Sequence, residues 1–383
     1  VPGLEGGNFI LTGTGGDGKG GDVTITAGDV QFKGLSIDTG GLTTFFGPGA
    51  AGNLTVKAKS LALDNVTWGM DSQSRAGIID VETAGLLSIR NGSILSTQSL
   101  FGNNPITIKA DRLVLDNNVQ ILGGGFLEDG GDVSITSRTV DFSNSAFIGT
   151  QTFGDHNAGN IIITASEHVR FIDDPTLLFA PSGLYTSSNG LGGTLGKAGN
   201  ITINTPQLEL VGGARINAVT FTSGQGGNIN ITNANSVLIA GERSNPVNVF
   251  EEPFFQGGTR ASGIYTARLG SEFCTGGCGK AGNINIVTGS LTLQNGGLID
   301  NGTTTSGPGG NTTVSANGEV LLAGTMLDGT PGGIFSRTTG TEPGSGNGGN
   351  ILLQANALAV QNGAQISASS LGPGNAGSVT IEG

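Results

Sequence analysis

Three acidic doublets, Asp173-Asp174, Glu251-Glu252 and Glu128-Asp129, are the side chains whose type and spacing suit hydrolytic chemistry. Paired carboxylates can divide the work of general acid and base on a glycosidic bond. Each doublet falls between the strands predicted below, where neighbouring acids are solvated loop residues, so we expect no enzyme and no catalytic residue. The only histidines, His156 and His168, make neither a Ser-His-Asp set nor a metal-binding pair. Cys274 and Cys278, the only cysteines, bracket Cys-Thr-Gly-Gly-Cys. They close a small disulfide loop if the chain is exported, and stay thiols or bind metal in a reducing cytosol. Gly13 to Gly18 has the spacing of a dinucleotide fingerprint, but no helix follows it, and Gly190 to Lys197 has the wrong spacing for a phosphate loop. The Gly-Asp turns at Gly15-Gly16-Asp17-Gly18 and Asp129-Gly130-Gly131-Asp132 are the one opening for calcium. The repeat length is wrong for a calcium-binding nonapeptide roll, and no cofactor is expected.

The elements that would hold such side chains are set by composition and by a repeat. Glycine supplies 71 of 383 residues, aromatic residues only 5% and charged residues 12%. A chain so poor in rings builds a thin core, and one so poor in charge does not have the composition of a disordered segment. The formal net charge is -12 and Lys and Arg never form a run, which excludes nucleic acid as an expected partner. No apolar stretch reaches the roughly 20 residues that a membrane span needs. The opening Val1-Pro2-Gly3-Leu4-Glu5 is not a signal peptide, so we read the chain as a mature protein or a piece of a longer one.

One phrase recurs throughout: a small residue, then Asn or Asp, then alternating apolar and polar positions. It reads Gly52-Asn53-Leu54-Thr55-Val56, Gly199-Asn200-Ile201-Thr202-Ile203 and Gly349-Asn350-Ile351-Leu352-Leu353, among others. A period of two marks a strand with one buried face. Two further strands follow each phrase, as in Gln207 to Leu210 and Ala214 to Ala218. Three strands separated by Gly and Asn corners describe one coil of an all-β, right-handed parallel β-helix of about twelve coils, a single domain over residues 1–383. At the usual strand spacing such a rod is roughly 55 to 65 Å long. The Asn that opens the phrase, at Asn53, Asn160, Asn200, Asn228, Asn283, Asn311 and Asn350, is read as a corner residue. It should tolerate left-handed geometry and form a side-chain amide ladder. Asp22 and Asp132 cannot donate, so the ladder is expected to weaken there.

Intervals of 28 residues, such as Asn200 to Asn228, alternate with longer ones of 40, 55 and 39 in the C-terminal half. The extra residues are expected between the second and third strands, as insertions at about 172–183, 241–262 and 324–333 along one edge. The longest inserted stretch, Gly241 to Gly282, holds Phe250, Phe254, Phe255 and Arg260 as well as both cysteines. It is read either as a flap folded on the rod or as a contact surface for a partner.

The phrases Gly199 to Ile203, Gly213-Ala214-Arg215-Ile216, Pro181 to Leu184 and Val237 to Gly241 resemble the haemagglutination-repeat exoproteins of two-partner secretion, especially the filamentous-haemagglutinin-like surface proteins of cyanobacteria. That resemblance, from about Gly7 to Ile381, implies a β-helix displayed outside the cell with adhesive or matrix roles and no transferable catalytic residue. The expectation is therefore an extracellular or cell-surface stalk or fibre segment. Its expected partners are surface or matrix components, glycans among them, and end-to-end self-association is a further expectation. The alternative is a carbohydrate-binding or polysaccharide-cleaving β-helix working along the insertion edge.

Overall fold

The computed structural model describes residues 8–13, 17–38, 49–72, 74–102, 104–176, 181–189, 195–243, 261–266, 279–304, 307–341 and 346–383. These contain no helix and form two long parallel sheets, one of 12 strands and one of 14. In each coil a long strand such as Val133–Ser143 lies in the larger sheet, and a short strand such as Phe147–Thr152 lies in the smaller one. Successive coils pair in parallel and in register, Val133 opposite Ile106 on one side and opposite Ile161 on the other. The expected all-β parallel solenoid is what the chain forms.

The first two predicted strands run together. Most coils have one strand of eleven or twelve residues where two were expected, and only Ile79–Thr83 with Leu86–Arg90, and Ile201–Asn204 with Gln207–Val211, remain separate. The joint survives as a slip in side-chain phase. Leu54 and Val56 face inward, and so do Leu61 and Leu63, five residues on from Val56 rather than an even number. In Ile161–Ile172 one more residue enters at this point, and the register against the preceding coil shifts between Ser137 and Thr139. The position at the slip is occupied by a small side chain, as at Ala58, Ala110, Ser137, Ala165 and Ala355.

Inward columns of Ile, Val and Leu make one continuous core, including Ile201, Ile229 and Ile284 stacked coil on coil. Each such side chain gains about 1.5 to 3 kcal/mol on burial, so the core outweighs any single polar contact. The glycine of each phrase is required by backbone proximity. A Cβ on Gly199 would lie 1.9 Å from the carbonyl oxygen of Gly159, and one on Gly282 would lie 1.8 Å from that of Gly227. Buried hydroxyls of the short strands satisfy the same column of carbonyls, with Thr150 donating to Gly159 at 2.6 Å and Thr186 to Gly199 at 2.7 Å.

Left-handed backbone falls on a different set of asparagines from the one expected. Asn65, Asn91, Asn117, Asn144, Asn295 and Asn362 have positive φ, and all sit at the corner between the long and short strands. None of the Asn residues that open the phrases is among the residues with positive φ. A tight turn there needs an αL residue, which Asn supplies and which Gly212, Gly241 and Gly324 supply in other coils.

The long coils also depart from the one-corner expectation. Inward Leu210 and Ile216 lie six residues apart in a short coil, while Phe171 and Leu184 lie 13 apart in a long one. Beyond the short strand the distance grows too: Ile216 precedes Asn228 by 12 residues, but Leu184 precedes Asn200 by 16. Extra residues therefore enter at both ends of the short strand, with a single one at the mid-strand slip.

Candidate functional site

The asparagine column is a ladder of backbone-to-side-chain bonds. The N–H of Asn200 donates to Oδ1 of Asn160 at 2.9 Å, and Asn228 to Asn200, Asn283 to Asn228 and Asn311 to Asn283 repeat this at 2.9 Å each. Asn350 donates to Asn311 at 3.0 Å, and Asn53 accepts from the N–H of Ile78 at 3.0 Å. Side-chain amide contacts accompany three rungs, at Asn160, Asn200 and Asn228. Because each side chain is used as an acceptor by the next coil, an aspartate serves as well. Asp132 takes both the N–H and the Nδ2 of Asn160, at 2.7 and 3.1 Å, and Asp22 takes the N–H of Asn53 at 2.8 Å. The backbone bond of the rung is therefore kept at both aspartates. That hydrogen bond, with the Lys19 ammonium beside it, holds the Asp22 carboxyl below the usual range.

The acidic doublets are separated by their surroundings. Asp173 is buried and accepts from the Ser182 N–H at 2.7 Å, the Ser182 hydroxyl at 2.5 Å and the Ser145 N–H at 3.1 Å. Burial pushes its carboxyl up, against these hydrogen bonds and the charge of Arg243. Asp174 is exposed and caps Thr176, whose N–H and hydroxyl hold its pKa down. Asp129 accepts from the N–H of Asn157 in the next coil at 2.7 Å. His168 meets Asp141 of the preceding coil at 3.1 Å, a pairing that sequence spacing did not expose. Among the described residues no three His, Cys, Asp or Glu side chains converge to hold a metal ion. Cys274, Cys278, Phe250, Phe254, Phe255, Arg260 and the Glu251-Glu252 doublet lie outside the described residues.

At the insertion edge, long coils reach each other across the short coil between them. Arg243, buried in one long coil, faces Asp173 of the previous one, and Glu242 accepts a hydrogen bond from the N–H of Leu327 in the next. Antiparallel bridges close the feet of two insertions, Glu242 to Ala261 and Thr325 to Pro331. Met326 packs with Tyr265, Leu298, Phe335 and Ala261 in a second small core separate from that of the rod. The described feet of the insertions thus link alternate coils along the short-strand sheet, a line of contacts termed the insertion rail.

A second axial feature lies at the mid-strand slip. A trough of about 630 Å³ crosses six successive coils, from Glu82 to Asn233. One rim carries Glu82, Lys109, Thr136, Thr164 and Asn204; the other carries Asp111, Arg138, Ser166 and Pro206, and Asn233 closes the far end, its Nδ2 donating to Oδ1 of Asn204 at 2.8 Å. Between them the floor is Thr83, Ala110, Ser137 and Ala165. Arg138 spans the second rim, its Nε 2.9 Å from Oδ1 of Asp111 and its Nη1 2.8 Å from Oε2 of Glu167. The two carboxylates raise the guanidinium pKa further above its ordinary value, and the Arg138 hydrogen bond lowers that of Asp111. Sequence reasoning missed this trough; its signal was the small residue two positions after the second inward residue of several phrases, as at Ala58, Ala110, Ser137 and Ala165.

Fold and sites together define a parallel β-solenoid with a ladder on one corner, an insertion rail on another and an axial trough at the mid-strand slip. Compared with known protein families, with curated proteins and with solved structures, the chain matches none. The likeness to haemagglutination-repeat exoproteins rests on the quoted phrases alone.

Proposed function

We propose that the chain is a segment of an extracellular stalk or fibre whose work is reach, surface coverage and adhesion. The observation that carries this reading is the unbroken stacking of parallel coils, in sheets of 12 and 14 strands, from Asn8 to Glu382. Every internal strand is hydrogen-bonded on both sides, so bending the rod means breaking many ladder bonds at once. Polar outward faces rich in Thr, Ser and Asn keep such a surface wet, while the insertion rail offers relief on which a receptor can act. The quoted phrases add the expectation of export by two-partner secretion. No helix among the described residues is long and apolar enough to cross a membrane.

The test has two arms. Antibodies raised against the purified chain should label intact cells of the source organism, and beads coated with the chain should adhere to those cells or to their extracellular matrix. Labelling only after lysis, or sustained release of reducing sugar from polysaccharides by the pure chain, would replace the stalk with another function.

A further inference from the structure

We propose that the trough from Glu82 to Asn233 is a binding site for one linear, uncharged polysaccharide chain lying along the rod axis. The shape argues for a polymer. At about 4.8 Å per coil its six coils extend about 24 Å from first to last, and its walls are columns of positions that pair in register coil to coil while their side chains vary. A polypeptide is a poor occupant, because the long strands already spend their backbone groups on the coils above and below. Only side chains face the trough, and strand addition has no edge to use.

Charge argues against a polyanion. Glu82 and Asp111 match Lys109 and Arg138 in number, and Arg138 is already held by Asp111 and by Glu167, which stands outside the trough. A chain of phosphates or uronates would meet no surplus of positive charge. The remaining chemistry is amphipathic in the way a sugar ring is. Ala110 and Pro206 offer partly exposed apolar surface for the C–H faces of a ring, while Thr164 and Ser166 offer hydroxyls for its O–H groups, beside Asn204, whose Oδ1 already accepts from Asn233 at 2.8 Å. The coil step is close to the advance of one sugar ring in an extended chain, so each ring meets the floor position of one coil.

This inference is independent of the stalk reading. A rod that binds no glycan is still a stalk, and a rod that cleaved glycans would lose the stalk reading while keeping an occupied trough.

The experiment is calorimetric titration of the full chain with cellohexaose, xylohexaose and mannohexaose, and with an oligogalacturonate as the charged comparison. At least one neutral hexaose should bind and the oligogalacturonate should not. The double variant Thr164→Arg with Ser166→Arg, on exposed rim positions, should weaken that binding at least tenfold. Thr313→Arg, on the same sheet but beyond the trough, should leave it unchanged. If the double Arg variant does not fold by far-UV circular dichroism, Thr164→Ala with Asn204→Ala adds no bulk and should still lower affinity severalfold. Binding of no hexaose, preference for the oligogalacturonate, or equal effects of the trough and Thr313 variants would each overturn the assignment.

Discussion

At the scale of single residues, the ladder shows how a side chain earns its place by what it accepts. Asn200 takes the N–H of Asn228 on Oδ1, and that bond needs only an acceptor. Asn200→Asp should therefore cost little, whereas Asn200→Ala should lower the unfolding free energy by about 1 kcal/mol, the usual net worth of a hydrogen bond. Chemical denaturation of the two variants measures the difference, and equal losses would show that an acceptor alone does not sustain the rung. Asp173 makes the opposite point, since burial raises its carboxyl pKa even with three hydrogen bonds and Arg243 nearby. A raised pKa means that the folded state holds the proton more tightly than the unfolded one. The stability linked to this group is present below the ordinary carboxylate range and is lost as pH rises through the raised value. The stability gap between wild type and Asp173→Ala should accordingly be wider in mild acid than at pH 7, and a gap that narrows on acidification would contradict the sign. The recurrence of Asn was plain in the sequence, but its backbone conformation was not. Positive φ belongs to Asn65, Asn91, Asn117 and their equivalents, because the tight turn lies at their corner, and composition alone does not tell one corner from another.

At the scale of elements, alternation was enough to find nearly every strand and to say which side faces in. Ile201 and Ile203 are fully buried, and Thr202 between them faces out. Ile203→Ala should therefore cost about 2 to 5 kcal/mol, the range for emptying a packed site, and Thr202→Ala less than about 0.5 kcal/mol. Comparable shifts in denaturation midpoint for the two would show that the faces are misassigned. What alternation did not reveal is the fusion of the first two strands. The slip from Val56 to Leu61 breaks the period without breaking the hydrogen-bonded ladder, and a pattern of side chains reads such a break as a gap between elements. The same slip opens the trough, which is why the trough too was invisible. Lengths of insertions were legible from the intervals, but their division between two corners was not, because that depends on which residues pair across coils. The charge interaction between Arg243 and Asp173, from coils not adjacent in the stack, is likewise set by the rail's path in space.

At the scale of the whole molecule, each coil is bonded only to the coil above and the coil below, so the rod is close to one-dimensional in its energetics. Stability is then a sum of coil terms and nearest-neighbour terms, and damage to one coil is felt most by its neighbours. The insertion rail modifies this locally, since it links the long coils across the short ones between Asp173 and Leu327. Gly282→Ala is the sharpest probe, because a methyl group there would sit 1.8 Å from the Gly227 carbonyl oxygen and must push two coils apart. Amide hydrogen exchange should show protection lost in Ile229–Ala240 and Ile284–Gln294, the long strands on either side of that contact. Protection should be kept in Leu54–Asp64 and Ile106–Asp116, several coils away and outside the rail. A uniform fall across all four strands would mean that the rod unfolds as one cooperative body, and the nearest-neighbour description would have to give way to a global one.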